Sequence, residues 1–250
     1  MRYLLGLLLA AGMFTAQGAQ LAIIIDDIGY RQTDEDVLSL PKDITLSVIP
    51  LSPLGVELAG KAHKQGYEIM LHLPMQALNG KPLGKGGLTK DMSEQEIKRK
   101  VDDAIVRIPY AKGANNHMGS LLTQMDSHML WVMERLKQNN LYFVDSLTTG
   151  HSKAANQAEA IGVPMLKRHV FLDNDTSKKA LEKQFRIMME QAHQQGFAVA
   201  IAHPHPATVR FLKANLPRLA QEGITLVPTS HLLPYRLAQQ QGTSPAVRLR

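Results

Sequence analysis

Apolar and polar positions along this chain of 250 residues fall into short hydrophobic runs separated by amphipathic stretches. From Leu21 to Ile25 five apolar residues follow one another, three of them isoleucine, and lead into Asp26 and Asp27 with Gly29 close behind. A continuous β-branched run of this kind suits a strand covered on both faces, as in parallel sheets wrapped by helices. Comparable runs cover Ile44 to Ile49, Tyr67 to Leu71 before His72, Leu141 to Asp145, Val163 to Leu166, Phe197 to Ala202 before His203, and Ile224 to Val227. Between them, helical spacing is predicted for residues 54–65 up to Gly66, 127–138, 154–161, 177–195 up to Gly196, and 207–222 with Pro206 near the start and Gly223 past the end. Ser93 and Glu96 form a capping box for a further helix whose Ile97, Val101, Ile105 and Ile108 share one face. Residues 73–92 carry Pro74, Pro82 and four glycines without periodicity and read as a long loop beyond His72. The stretch Lys112 to Ser120 reads as too polar for a core strand.

Strand and helix alternate about seven times without consecutive hairpins. That order predicts parallel strands in one α/β domain, closed as a barrel or left open. In such folds ligands and reacting groups gather at the carboxyl ends of the strands, the one place where a buried run can present an ionised side chain.

Candidate chemistry is found at those ends. Of the adjacent acids, one suits a metal and the other a proton, although Asp at a strand exit also serves as a plain cap. Asp27, His72 and His117 offer the oxygen and imidazole donors that hold a divalent metal such as zinc with a position left for water. His203 is a fourth imidazole at a strand end, whereas His63, His128 and His193 lie in predicted helices with no companion. His203-Pro204-His205-Pro206 forms a rigid exit into the next helix, whose first amides near Ala207 and Thr208 face the same rim. Asn115, Asn116, Asp145 and His205 are the expected substrate contacts, with turn formation the commoner use of asparagine.

At these residues the chain resembles the divergent polysaccharide deacetylases, a branch of the NodB-homology carbohydrate esterases, over roughly residues 21–233. Leu21 to Gly29 is similar to the double-aspartate strand of that family, Met70 to Met75 to its metal-histidine segment, Asn115 to Ser120 to the signature of the divergent branch, and Ala200 to Pro206 to its late histidine segment. The resemblance implies an irregular seven-stranded (β/α) barrel with Asp26 as general base, Asp27 and His72 as metal ligands, and His203 as general acid. Conventional members place a second histidine four residues after the first; here that position is Gln76, and His117 is the expected replacement. Their arginine-proline segment is absent, and their acidic-tryptophan segment is reduced to Val144-Asp145-Ser146. The expected activity is metal-dependent removal of an acetyl group from an acylated envelope glycan. The rival is a catalytically weak barrel that binds glycan or an envelope partner.

Composition changes this picture in three places. The formal charge of +6 includes Arg2, Arg236, Arg248 and Arg250, all outside the expected barrel, so the basic balance does not call for nucleic acid. With no cysteine there is neither a disulfide framework nor a lipidated thiol. Arg2, the apolar run Leu4 to Phe14 and the small residues before Gly18 read as a secretory signal over residues 1–18. The barrel is expected over 19–233, and the Gln- and Arg-rich residues 234–250 form a flexible tail. The apolar run is too short to remain as a membrane anchor, which places the mature chain in the periplasm or outside. We expect the exported protein to begin near Ala19, as read by intact mass; a membrane-bound product retaining Arg2 would refute this.

Overall fold

The computed structural model describes residues 18–233, so the signal and tail expectations lie outside the described residues. Nine strands form one all-parallel sheet: β1 (Ala19–Ile28), β2 (Thr45–Val48), β3 (Ile69–Met75), β4 (Gly113–Met118), β5 (Tyr142–Asp145), β6 (Met165–Lys167), β7 (Val170–Phe171), β8 (Phe197–Ala202) and β9 (Ile224–Leu226). The helices are α1 (Gly55–Lys64), α2 (Glu94–Arg107), α3 (Asp126–Gln138), α4 (Ala154–Ile161), α5 (Lys178–Gln195), α6 (Pro206–Asn215) and α7 (Pro217–Gln221). The long helix expected over 207–222 is two helices, because Pro217 cannot continue the first.

Strand order runs β6-β5-β4-β3-β2-β1-β8-β7, and β9 adds to the start of β1. β6 and β7 are separated only by Arg168 and His169 yet stand at opposite ends of this order. The Arg168 amide donates to the Asp145 carbonyl at 3.0 Å and the His169 amide to the Val199 carbonyl at 2.8 Å, so the chain changes partner between consecutive residues. With β9 left aside and β6 and β7 counted as one stave, the ring has seven, and the irregularity is this seam.

Two apolar layers explain why the strands read as unbroken hydrophobic runs. Leu21, Ile23 and Ile25 belong to the large layer beneath the helices, whereas Ala22 and Ile24 join Met70, Val144, Leu166, Val199 and Ile201 inside the barrel. Burying each large aliphatic contributes about 1.5–3 kcal/mol. The lower mouth is closed by the final turn, where Leu232 enters the inner layer and Glu68 accepts from Tyr142 Oη at 2.9 Å and the Ser230 amide at 3.0 Å.

Residues 112–120 depart from the expectation: Gly113–Met118 is a central strand, paired with β3 and β5. Its asparagines are tolerated there because their amides are bonded internally, and an inner face near the mouth has polar partners to offer.

The turn after β1 is held by a carboxylate that no local pattern in the sequence marks. Asp34, fully buried, accepts from the amides of Gly29, Tyr30 and Arg31 through Oδ2, each at 3.0 Å. Gly29 has φ +125°, and a Cβ there would stand 2.0 Å from Ser52 Oγ and 2.8 Å from Gly55 Cα, so only glycine fits. Asp34→Ala would leave these donors unpaired at a cost of about 2–4 kcal/mol. The thermal midpoint is expected to fall by roughly 5–15 °C; an unchanged melt would show that the turn does not depend on this carboxylate.

Candidate active site

Alternation along each strand decides which side chains enter the barrel. Ile24, Met70 and Ile201 line its interior, so Asp26, His72 and His203, two residues further on, point the same way nearer the mouth. Ser47 on β2 and Asn115 and His117 on β4 complete the ring at that level.

Asp27 should by alternation face outward, but its backbone adopts φ +60° and the register between β1 and β2 slips between Ile25 and Ile28. This bulge turns the second acid toward the mouth at the aspartate itself, before the chain reaches Gly29. Asp is among the few residues that accept this region readily. Two other strand exits on the same rim share the feature, Met118 at φ +55° and Leu147 at φ +50°. Both are locked from outside: the Met118 carbonyl accepts from Asn116 Nδ2 and Thr148 Oγ1, and the Leu147 carbonyl from Arg168 Nη2. Backbone strain of this sort is kept only where surrounding bonds determine it.

Asp27, His72 and His117 converge. His117 Nδ1 stands 2.6 Å and His72 Nε2 3.0 Å from Asp27 Oδ1, and one ligand atom from each residue can be chosen so that all lie within 4.8 Å of one another. Asp27 Oδ1 is nevertheless buried without an aligned hydrogen-bond donor. Three lone-pair donors crowding one small space, one of them an orphaned carboxylate oxygen, fit a divalent cation. Burial pushes the Asp27 carboxyl up, but the approach of His117 and His72 outweighs it and holds the group far below the usual carboxylate range.

Asn115 connects this set to Asp26. Its Oδ1 receives Ser47 Oγ and His72 Nδ1, both at 2.7 Å, and its Nδ2 donates to Asp26 Oδ1 at 2.7 Å. With Nδ1 carrying the hydrogen toward Asn115, the lone pair of a neutral His72 is on Nε2, the atom facing Asp27. Asp26 is buried, and burial raises its pKa against the lowering influence of His72 and of the Asn115 bond. A carboxylate so placed is a better proton acceptor than a free aspartate.

His203 is fixed by Asp173, another residue that the sequence did not reveal. Asp173 Oδ1 bonds His203 Nδ1 at 2.8 Å, and its Oδ2 accepts from the His203 amide and Thr208 Oγ1, each at 2.8 Å. Burial works against charging His203, but Asp173, Asp26 and Asp27 carry its pKa up to about 9. Its Nε2 lies 3.9 Å from Asp27 Oδ2. At neutral pH this imidazole is a proton donor at the edge of the ligand set. Asp173 follows a strand of only two residues, too short to show as a hydrophobic run.

Three of the four expected substrate contacts carry bonds within the protein. Asn115 is fully buried in the bridge just described. Asn116 is buried too, with Oδ1 accepting the Ser146 amide at 2.9 Å and Nδ2 donating to the Met118 carbonyl at 2.7 Å, so it ties the ends of β4 and β5 together. Asp145 is buried and accepts the Leu147 amide at 2.8 Å instead of joining the cluster. All three therefore help to shape the rim through bonds within the protein. His205 remains half-buried at the mouth, with its ring centroid 5.9 Å from that of His203. Gln76 spends its side-chain oxygen on the Lys90 amide at 2.7 Å and pins the long loop. Replacing His117 with Ala should therefore release bound divalent metal, with zinc as the probe, whereas Gln76→Ala should retain it. The reverse pattern in metal analysis would overturn this ligand set.

A family model described as divergent polysaccharide deacetylase matches residues 23–233. The uncharacterized protein YibQ of Escherichia coli (strain K12) is 45% identical over 215 residues, covering 86% of this chain and 67% of that protein. The crystal structure of an uncharacterized protein from Agrobacterium tumefaciens C58 superposes with a TM-score of 0.83 at 21% identity, covering 87% of this chain and 90% of that one. A family 4 carbohydrate esterase from Streptomyces lividans gives a TM-score of 0.53 at 11% identity, covering 84% and 92%. A family 4 pseudoenzyme from Bacillus anthracis gives 0.54 at 11%, covering 86% and 66%. At these identities the structural likenesses establish the fold, an α/β barrel of the NodB type.

Proposed function

The chain belongs to the divergent polysaccharide deacetylase family, and from that premise we propose that it is an exported, zinc-dependent hydrolase removing an acetyl group from an acylated envelope glycan. One observation carries the reading. A buried carboxylate with a raised pKa, Asp26, and an imidazole protonated up to about pH 9, His203, border the same Asp27-His72-His117 ligand set.

A divalent cation held by Asp27, His72 and His117 would polarise the acyl carbonyl and stabilise the negative charge that develops on its oxygen. The remaining steps belong to the chain. Asp26 takes a proton from the attacking water as its oxygen bonds to the carbonyl carbon. Asn115 Nδ2 keeps that carboxylate oriented, and Asn115 Oδ1 keeps His72 in the required tautomer. His203 then gives the proton on its Nε2 to the sugar nitrogen or oxygen as the bond to the acyl carbon breaks, releasing acetate and the free amine or alcohol. Asp173 holds His203 in place and steadies its charged form, and Thr208 fixes Asp173 in turn.

The second reading, a barrel that binds glycan without cleaving it, draws support from the pseudoenzyme among the structural neighbours and from the missing arginine-proline segment. In place of an arginine the base has only the neutral amide of Asn115.

The two readings differ over Asp26, which only chemistry requires. Asp26→Asn keeps the size of the side chain and should lower acetate release by a hundredfold or more, with metal content and melting temperature preserved. The assay uses a glycan that the wild type cleaves, with His203→Ala in parallel. Near-wild-type turnover by Asp26→Asn would reject the base, and loss of metal would show that the two aspartates have exchanged roles. Metal-loaded wild type that binds acetylated glycan and releases nothing would establish the binding protein instead.

A further inference from the structure

The loop between β3 and α2 carries a feature that the chemistry above leaves unused. From Leu73 to Lys90 the sequence contains no acid and three lysines, Lys81, Lys85 and Lys90. Lys90 is paired with Asp91 at 3.1 Å, but Lys81 and Lys85 are exposed and have no carboxylate partner among the described residues. The loop does not trail away into solvent. Its two ends are bonded together through the Leu88 amide and the Pro74 carbonyl at 2.8 Å and through Gln76 and Lys90. Held this way, it forms a groove of about 300 Å³ lined by Gln76, Lys81, Pro82, Leu83, Gly84 and Thr89 among others, with Lys85 exposed just outside it, next to Gly84.

The loop that bounds this groove follows directly on the strand that carries His72. The loop leaves β3 three residues beyond His72, and its tip reaches the exit of β1, where the Tyr30 hydroxyl would stand 2.9 Å from a Cβ built on Gly84. Tyr30 itself is three residues beyond Asp27 and 47% exposed. Gly84 and Gly86 take φ of +74° and +82°, and the amides of Leu83, Gly84, Lys85 and Gly86 have no hydrogen-bond acceptor among the described residues. Unspent N–H groups beside two unpaired ammonium groups attract an anion, and an exposed aromatic edge next to a polar groove suits a sugar ring.

We propose that this groove is a subsite for an acidic sugar residue, one bearing a carboxylate, next to the acylated sugar in the same glycan. The inference rests on the glycan reading of the rim and narrows it: the substrate is an anionic polymer, held through Lys81, Lys85 and the loop amides while the acetyl group sits at the Asp27 ligand set. Lys81 and Lys85 take no part in the chemistry, and their exposure makes the fold indifferent to their replacement.

The test compares three probes against the zinc-loaded mature protein by calorimetry: a hyaluronan hexasaccharide, which carries N-acetyl groups and alternating carboxylates; the same hexasaccharide after carboxyl reduction; and vesicles containing phosphatidylglycerol. The acidic hexasaccharide is expected to bind about tenfold more tightly than its reduced form at low salt, and this preference should shrink as salt is raised. In the double variant Lys81→Gln, Lys85→Gln the preference should fall to within about twofold while affinity for the reduced form is unchanged. Equal binding of the two hexasaccharides, or a preference that survives the double substitution, would overturn the subsite. Lysine-dependent binding of the vesicles with no selective glycan binding would also overturn it, in favour of a membrane surface. Acetate release separates the two proposals: selective binding without release would sink the hydrolase and leave the subsite standing, whereas equal release from both hexasaccharides would do the opposite.

Discussion

The carboxamide of Asn115 is the constraint on which the rim depends. It is buried completely, it has one oxygen and one nitrogen to offer, and the structure uses both: the oxygen for Ser47 and His72, the nitrogen for Asp26. Because the amide cannot turn over without setting its oxygen against the Asp26 carboxylate, the tautomer of His72 and the orientation of Asp26 are fixed by one choice. An arginine at this place would bring a positive charge and hold the Asp26 carboxyl low. The neutral amide leaves burial as the dominant influence, and the Asp26 pKa is raised accordingly.

A polar bridge of this kind is stable only inside a scaffold that excludes water and does not shift. The two apolar layers supply that scaffold without disulfides, since the chain has no cysteine. The lower mouth is closed by Glu68 and the last turn, so the polar interior near the rim is reached from one side.

The barrel was readable from the sequence because parallel strands with both faces buried leave long apolar runs, and because each run of interest ends on an acid or a histidine. The strand that carries most of the polar chemistry was hidden for the same reason: Gly113–Met118 has the composition of a turn, and only the partners of its asparagines, distant in sequence, make it a strand. Asp27 reached the mouth by a backbone conformation that alternation does not foresee. Asp173 and Ser47 went unnoticed because each acts through a residue 30 or 68 positions away, a separation no local pattern records. Asn116 and Asp145 stand at the expected strand ends, and their bonds to the neighbouring backbone are again invisible in a local pattern.

The seam at Arg168 and His169 gives the ring two arcs of unequal content. One arc, β1 through β5, carries both aspartates, His72, Asn115 and His117; the other, β7 and β8, carries Asp173 and His203. They are joined continuously along β1 and β8 and, at the far side, by a crossing of only a few residues. Drift in the short arc would therefore move Asp173 and His203 while leaving the Asp27-His72-His117 set and the root of the β3 loop in place. In a ring built this way the side chains that could hold a cation and those that could hand over a proton rest on separate arcs, so that one set can change its spacing while the other keeps its own.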